Sequence, residues 1–296
     1  MNGTIRTADG HTVLRFERRL THRPEKVWRA LTEARHISEW FPSDMQMDLA
    51  VGARIRFVFR NGEAPTLDGS ITELDPPRVF AYTWGDDAWL RWEIRPEAEG
   101  CLLVFTHTFD DRLAAASFAF GWQTCLNAFE ALLEEKPAAP ADDYVTAHEA
   151  YVEEFGLLEG SSEQDADGWT VRFERNFPYP QELVWDALAG SDPPPAVSAP
   201  PPQPATAPNV AASAVTALTP GSLLEYAWAP SPGAGSAGHV RWELTSGPPG
   251  TRVSLSQHGR ADTADTMPAT LTAWRARFVD LADELRARWQ ATPVRL

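Results

Sequence analysis

An internal repeat constrains the fold of this chain more than any other feature. Residues 15–31 read RFERRLTHRPEKVWRAL and residues 172–188 read RFERNFPYPQELVWDAL. Aligned without a gap, they agree at nine of 17 positions. The chain has 296 residues, a length that is typical of about two domains. We therefore interpret it as two copies of one folding unit.

The similarity between the copies resumes after the first segment. GSITELDPPRVFAYTW aligns with SAVTALTPGSLLEYAW, and LRWEI aligns with VRWEL. In residue numbers, 69–84 aligns with 213–228, 90–94 with 240–244, 102–109 with 252–259, and 122–135 with 274–287. The same elements therefore follow each other in the same order in both copies.

The pattern within one copy predicts an α+β fold. Alternating apolar residues mark a first strand, and Pro24 then opens a short helix, as proline favours a first helical turn. Several short alternating strands follow, separated by turn residues such as Asp75-Pro76-Pro77. The unit closes with a long amphipathic helix, since Trp122, Phe129 and Leu133 share one face. This order predicts an antiparallel sheet packed on a long C-terminal helix.

The expected domains are residues 1–158 and 167–296, joined by a polar linker at 159–166. We expect the first domain to be complete and to end in a helical tail that starts near Tyr144. The second lacks a counterpart of residues 32–68, and a Pro/Ala-rich stretch at about 189–212 stands in that place. Such a composition favours extended or disordered chain, so we expect this stretch to bury no core.

Composition excludes several classes of function. The net charge is -15 and both halves are acidic, which argues against nucleic acid and against anionic membrane surfaces. No apolar run reaches the roughly 18 residues of a membrane-spanning helix. The N-terminus has no apolar secretion signal, and two cysteines form no disulfide scaffold, so a cytoplasmic protein is expected. Only two lysines among many Ala and Arg residues indicate a GC-rich bacterial source.

Several motifs together resemble one known superfamily. They are an early Arg-x-Phe, then Pro-Glu-x-Val-Trp-x-Ala-Leu, Tyr-x-Trp, Thr-His-Thr and a Gly-Trp that opens the last helix. In this order they resemble the START-like (SRPBCC) superfamily, and within it the activator-of-Hsp90-ATPase homologue group. The resemblance implies a helix-grip fold of the START/Bet v 1-like type, with a curved antiparallel sheet around the last helix. It also implies a ligand cavity between sheet and helix.

The candidate ligand-binding residues are mostly aromatic. Trp40 and Phe41 lie in the segment that the second copy lacks, beside the cavity mouth of the family fold. Four tryptophan pairs recur in both copies, which favours packing as their role. The expected ligand-binding set is Trp40, Phe41, Arg54, Phe57, Tyr82, Trp84, Trp92, His107 and Trp122.

The polar members of this set have alternative roles. Arg54 alternates with apolar neighbours, so it either faces the cavity and holds an anionic head group or is a solvated strand charge. His107 is either a polar anchor, a general base or a structural strand histidine. Asp68 and Glu93 are candidate acids, although Glu93 recurs as Glu243 and is better explained as a structural partner of arginine.

No residue is assigned a catalytic role, and no cofactor is expected. The histidines and cysteines show no metal-ligand spacing, and Cys101 and Cys125 have the pattern of small buried apolar residues. Nucleotide-binding glycine motifs and serine-hydrolase motifs do not occur in the sequence.

Three functions remain open. The leading hypothesis is binding of a small hydrophobic or amphipathic molecule in the first domain, with a structural second domain. The second is an Hsp90-type chaperone cofactor or another protein-interaction module. The third is a cyclase-like or hydrolase-like enzyme that uses His107 or Asp68.

Overall fold

The computed structural model describes residues 3–60, 65–190, 193–208, 210–229, 235–247 and 250–291. The chain forms two compact units, unit 1 (Met1–Phe155) and unit 2 (Gly156–Leu296). Each unit contains one antiparallel sheet and a long helix, so the predicted α+β fold class is confirmed.

Unit 1 contains eight strands and four α-helices among its described residues. The strands are β1 (Gly3–Ala8), β2 (His11–Leu20), β3 (Ser43–Met47), β4 (Arg54–Phe59), β5 (Leu67–Asp75), β6 (Val79–Thr83), β7 (Trp89–Glu97) and β8 (Gly100–Phe109). The helices are α1 (Pro24–Thr32), α2 (Ala34–Trp40), α3 (Ala115–Leu133) and α4 (Tyr144–Glu154). The strand order across the sheet is β1-β2-β8-β7-β6-β5-β4-β3.

The core of unit 1 lies between the sheet and α3. On β2, Leu14 and Phe16 are buried, whereas the alternate residues Arg15 and Glu17 are more exposed. This alternation buries one face of the strand, as the sequence pattern predicts. The turn between β7 and β8 needs Gly100, whose φ of +122° is rarely adopted by other residues.

Unit 2 contains six strands and two α-helices among its described residues. The strands are β9 (Ser161–Gln164), β10 (Gly168–Phe177), β11 (Ala211–Thr219), β12 (Leu223–Ala229), β13 (Gly238–Gly247) and β14 (Gly250–Arg260). The helices are α5 (Gln181–Ala189) and α6 (Met267–Ala291). The strand order is β11-β12-β13-β14-β10-β9.

The two sheets follow the same topology. Across the sheet of unit 2 the strands follow the order β9-β10-β14-β13-β12-β11. Strand by strand, this corresponds to β1-β2-β8-β7-β6-β5 in unit 1. Unit 2 has no described counterpart of α2, β3 or β4, the elements between Ala34 and Phe59. Its expected linker is partly folded, because Ser161–Gln164 pairs with β10 as an edge strand. That pairing corrects the expectation of a plain polar linker at 159–166.

The Pro/Ala-rich stretch of unit 2 is ordered where it is described, which corrects a second expectation. Residues 191, 192 and 209 lie outside the described residues. Within the rest, Gln203–Ala205 forms a short 3-10 helix, and Ala205 and Ala207 are buried. The segment therefore contributes to the core of unit 2, in spite of a composition that is typical of disordered chain.

Candidate functional site

The space between the sheet and α3 in unit 1 is filled by a connected group of rings. We call this group the aromatic cluster: Trp40, Phe41, Phe57, Tyr82, Trp84, Trp92, Phe105, His107 and Trp122. Neighbouring ring centroids lie 4.1 Å (Trp92 and Phe105) to 6.4 Å (Phe57 and Trp84) apart. Edge-on and offset ring contacts of this kind stabilise a core beyond the apolar area that they bury.

The sheet of unit 1 and two of its helices supply the cluster. Most of the rings stand on the inward face of β4, β6, β7 and β8, Trp84 directly follows β6, and Trp122 projects from α3. Trp40 and Phe41 come from the end of the short helix α2, where the Trp40 indole N–H donates to the Ala30 carbonyl at 3.0 Å. Eight of the nine expected ligand-binding residues thus lie together.

Arg54 is the member of the expected set that the structure places elsewhere. It is exposed, on the face of β4 opposite Phe57, and its guanidinium pairs with Asp68 at 2.6 Å. This corrects the expectation that Arg54 reaches the cavity. The inward face of β4 is the one that carries Phe57, because the aromatic side chain gains more from burial than a guanidinium does.

His107 is held in the cluster as a neutral base. Its ring is fully buried and packs against Trp84, Phe118 and Trp122. Burial lowers the pKa of His107 to about 3, since a charged imidazole loses its hydration there. The Trp122 indole N–H donates to Nδ1 at 3.0 Å, which fixes the proton of the neutral ring on Nε2.

Two ring N–H groups of the cluster have no acceptor among the described residues. They are His107 Nε2 and Trp84 Nε1, both without solvent exposure. A buried donor without an acceptor costs about 1–3 kcal/mol, so such groups are uncommon. The two rings are neighbours, with centroids 6.0 Å apart. The cluster can therefore donate hydrogen bonds to a polar atom of a bound molecule.

The comparisons with known proteins concern the same unit. Residues 21–134 match the family model described as Activator of Hsp90 ATPase homolog 1-like protein. This part of unit 1 is therefore similar to the AHSA1-like family. The matched range extends from the end of β2 to the end of α3 and includes every residue of the aromatic cluster. No curated protein sequence matches the chain.

Solved structures similar to this chain cover about half of it. A conserved protein of unknown function from Enterococcus faecalis is 24% identical over 51% of this chain and 89% of its own, with a TM-score of 0.46. CalU16 from Micromonospora echinospora is 19% identical over 53% of this chain and 94% of its own, with a TM-score of 0.42. The AHSA1-like protein from Aeromonas hydrophila is 21% identical over 42% and 92%, with a TM-score of 0.38.

The candidate acids lie on the outer face of the sheet of unit 1. Glu93 accepts hydrogen bonds from Arg95 and Arg91, which lower its pKa to about 2. Arg241 pairs with Glu243 at 2.8 Å in unit 2, as Arg91 pairs with Glu93 at 2.6 Å in unit 1. Glu93 therefore has a structural ion pair rather than the raised pKa that a general acid needs.

One cluster neighbour was missed by the sequence analysis. Phe118 on α3 packs on His107 with ring centroids 4.6 Å apart and is partly exposed. It lies in the alanine-rich start of α3 (Ala115–Leu133), where the apolar composition gives no periodic signal. Its position four residues before Trp122 was the available clue, since residues at this spacing share a helix face.

The described residues show neither a membrane-spanning helix nor a metal-binding group. No helix among them combines the length and the apolar character that crossing a bilayer requires. No three His, Cys, Asp or Glu side chains in the described ranges are placed to hold a metal ion. Burial raises the pKa of Cys101 to about 11 and that of Cys125 to about 12, so both thiols stay protonated near neutral pH.

Proposed function

We propose that unit 1 binds a small hydrophobic or amphipathic molecule within the aromatic cluster. The observation that carries this proposal is the pair of buried ring N–H donors, His107 Nε2 and Trp84 Nε1, among apolar rings. Ligand sites in proteins are mostly apolar, with a few polar groups that fix orientation. A bound molecule with one acceptor atom would satisfy a donor that is otherwise left without a partner.

A ligand can enter only if some rings move, because eight of the nine side chains of the cluster are buried. Trp40 and Phe41 are the side chains best placed to move. They lie at the end of α2, a seven-residue helix whose flanking residues Glu33 and Phe41 both have extended backbone. Apart from Trp84, which directly follows β6 and is partly exposed, the other rings stand on paired strands or on the 19-residue helix α3. We therefore expect α2 to be the cover of the site, with an open state that the ligand favours.

Acid–base catalysis by the candidate residues is not supported. His107 Nδ1 already accepts the Trp122 N–H, and burial keeps the ring neutral well below pH 7. Asp68 is exposed and paired with Arg54 on the other face of the sheet. The description of the family is what suggests a chaperone partner, and no contact within the described residues favours that function.

The test is a titration of the full chain with N-phenylnaphthylamine, a neutral fluorophore that brightens in apolar sites. We expect saturable binding of one molecule per chain. Hydrogen exchange measured by mass spectrometry should locate the changes in peptides that contain α2 and the start of α3. An absence of saturable binding, or changes confined to unit 2, would overturn the proposal.

Two phenylalanines of α3 offer a matched pair of variants. Phe118 packs on His107, whereas Phe120 packs on Tyr144 of α4 at 4.8 Å, away from the cluster. Both are partly exposed. We expect Phe118→Ala to weaken fluorophore binding by about 2- to 10-fold, the value of one aromatic contact. Phe120→Ala should leave the affinity unchanged, and equal effects of the two variants would place the ligand elsewhere.

A further inference from the structure

Unit 2 holds one of its own carbonyl groups between two buried side chains. The Ala205 carbonyl oxygen accepts a hydrogen bond from the Tyr226 hydroxyl at 2.8 Å and another from the Trp242 indole N–H at 3.0 Å. Tyr226, Trp242 and Ala205 have at most 1% of their surface exposed. Both distances lie in the range of good hydrogen bonds. The tyrosine and the tryptophan thus form a two-donor site for a single oxygen.

Unit 1 contains the same pair at the same place in its sheet. Tyr82 and Trp92 occupy the positions that correspond to Tyr226 and Trp242 in the repeat. The strand register is also the same. Trp92 lies opposite the residue two positions before Tyr82, and Trp242 lies opposite the residue two positions before Tyr226. Side chains with this offset stand diagonally on one face of adjacent strands.

Among the described residues of unit 1, no third group supplies an oxygen to this pair. The Trp92 N–H donates to the Tyr82 oxygen at 3.4 Å, beyond the usual range for such bonds. The Tyr82 hydroxyl proton has no acceptor among the described residues. Burial raises the pKa of Tyr82, so the hydroxyl keeps the proton that it would donate. Two fully buried donors therefore share one long hydrogen bond, where their counterparts in unit 2 share a carbonyl oxygen.

We infer that Tyr82 and Trp92 form a receptor for the carbonyl oxygen of the molecule bound by unit 1. The inference rests on the proposed function and adds the class of ligand, a neutral amide, ester or ketone with an apolar body. A neutral carbonyl suits the site better than a carboxylate does. No charged side chain belongs to the cluster, and a buried carboxylate without a cationic partner costs far more than a buried carbonyl.

The segment that carries Ala205 indicates where the carbonyl would enter. In the described part of unit 2 this segment stands where unit 1 has α2, and Ala205 lies against Trp242. In unit 1, Trp40 of α2 lies against Trp92, with ring centroids 5.4 Å apart. Movement of α2 would therefore uncover Trp92, as movement of the Ala205 segment would uncover Trp242. The same movement of α2 would admit both the apolar body of the ligand and its carbonyl group.

The experiment compares two probes of nearly equal size, acetylnaphthalene and ethylnaphthalene, by equilibrium dialysis against the full chain. We expect the ketone to bind about 3- to 10-fold more tightly, the value of one net hydrogen bond. Tyr82→Phe should reduce this preference, because it removes one of the two donors that hold the ketone oxygen. Tyr226→Phe, the matched variant in unit 2, should leave both affinities unchanged.

The outcomes separate the inference from the proposed function. If neither probe binds, the proposed function fails and the inference fails with it. If both bind equally, in the unmodified chain and in Tyr82→Phe, the ligand site stands and the carbonyl receptor is overturned. Infrared spectra of bound acetylnaphthalene give a second readout. A carbonyl stretch that is lowered in the unmodified chain and less lowered in Tyr82→Phe supports the inference, and an equal stretch in the two chains contradicts it.

Discussion

Unit 1 and unit 2 fill the space between sheet and long helix with different material. Unit 1 fills it with large rings, two of which, Trp40 and Phe41, come from α2. Unit 2 has no described counterpart of α2, β3 and β4, and a Pro/Ala-rich segment takes their place. The sheet and the long helix of each unit, which we call the frame, can therefore pack against different segments of chain. What recurs in both units is the set of side chains that line the frame.

The tryptophan on the long helix of each unit shows this most clearly. Trp122 donates to His107 Nδ1 at 3.0 Å, and Trp274 donates to Gln257 Oε1 at 2.6 Å. A histidine and a glutamine share the ability to accept a hydrogen bond but not the ability to titrate. The recurring requirement is therefore an acceptor for the indole N–H, and the acid–base chemistry of histidine is incidental to it.

Truncation of the recurring tryptophans should give the largest effects. We expect Trp92→Ala to lower the free energy of unfolding of unit 1 by about 3–5 kcal/mol, and Trp242→Ala to do the same to unit 2, because each removes a fully buried ring. Hydrogen exchange followed by mass spectrometry reports each unit separately. A loss below about 1 kcal/mol in one unit would break the equivalence of the two frames.

Removal of the indole acceptor should give the next largest effect. His107→Leu leaves the Trp122 N–H buried without an acceptor, which we expect to cost unit 1 about 1–3 kcal/mol of stability. Gln257→Leu should act in the same way on unit 2. The control is His107→Gln, which copies the acceptor of unit 2 and should cost less than His107→Leu. Equal losses for the two substitutions at 107, measured by hydrogen exchange, would show that the acceptor is unimportant.

Acid should destabilise unit 1 through His107. The pKa of this imidazole is near 3 in the folded unit and about 6.5 in unfolded chain. As the pH falls below about 6.5, unfolded chain binds a proton that the native ring does not, so stability is lost down to about pH 3. The loss approaches about 1.4 kcal/mol per pH unit.

Denaturant unfolding at several pH values tests this expectation. His107→Gln should remove the contribution of this one group and flatten the pH dependence of unit 1. An unchanged slope in that variant would mean that other groups cause the acid sensitivity.

The two tyrosines should give the smallest difference. Tyr226→Phe removes the hydroxyl that donates to Ala205, which we expect to cost unit 2 about 0.5–1.5 kcal/mol. Tyr82→Phe removes only the acceptor of a 3.4 Å bond, so its effect on unit 1 without ligand should be smaller. Thermal unfolding monitored with hydrogen exchange can compare the two. A larger loss of stability for Tyr82→Phe than for Tyr226→Phe would contradict the inference that the Tyr82 hydroxyl lacks a strong partner.

The fold was more accessible from the sequence than the site was. The repeat and the alternation of apolar residues predict the sheet and the long helix, because burial of one face leaves a periodic trace. Alternation also separates Arg54 from Phe57, but it does not say which face of β4 is inside. The side of the strand is decided by tertiary packing, and that is why Arg54 was placed in the expected site.

The Pro/Ala-rich segment marks another limit of sequence reasoning. Its composition suggested that it buries no core, whereas Ala205 is fully buried and hydrogen-bonded. Hydrogen-bond donors elsewhere in unit 2 hold the carbonyl groups of this segment, and the composition of the segment itself does not reveal them. The substitution of Arg277 for Cys125 in the repeat was the available signal, since the Arg277 guanidinium donates to the Pro204 carbonyl at 2.5 Å.

The eight prolines between positions 193 and 208 have a consequence for what this segment can offer to its surroundings. Proline carries a carbonyl group but no backbone N–H, so a proline-rich chain supplies acceptors without adding donors that must be satisfied in a core. Its fixed φ also leaves less freedom to lose when the chain becomes ordered. The side chains of Tyr226, Trp242 and Arg277 donate hydrogen bonds to this segment. A proline-rich chain can therefore supply the carbonyl acceptors that such donors need, at little cost in conformational entropy.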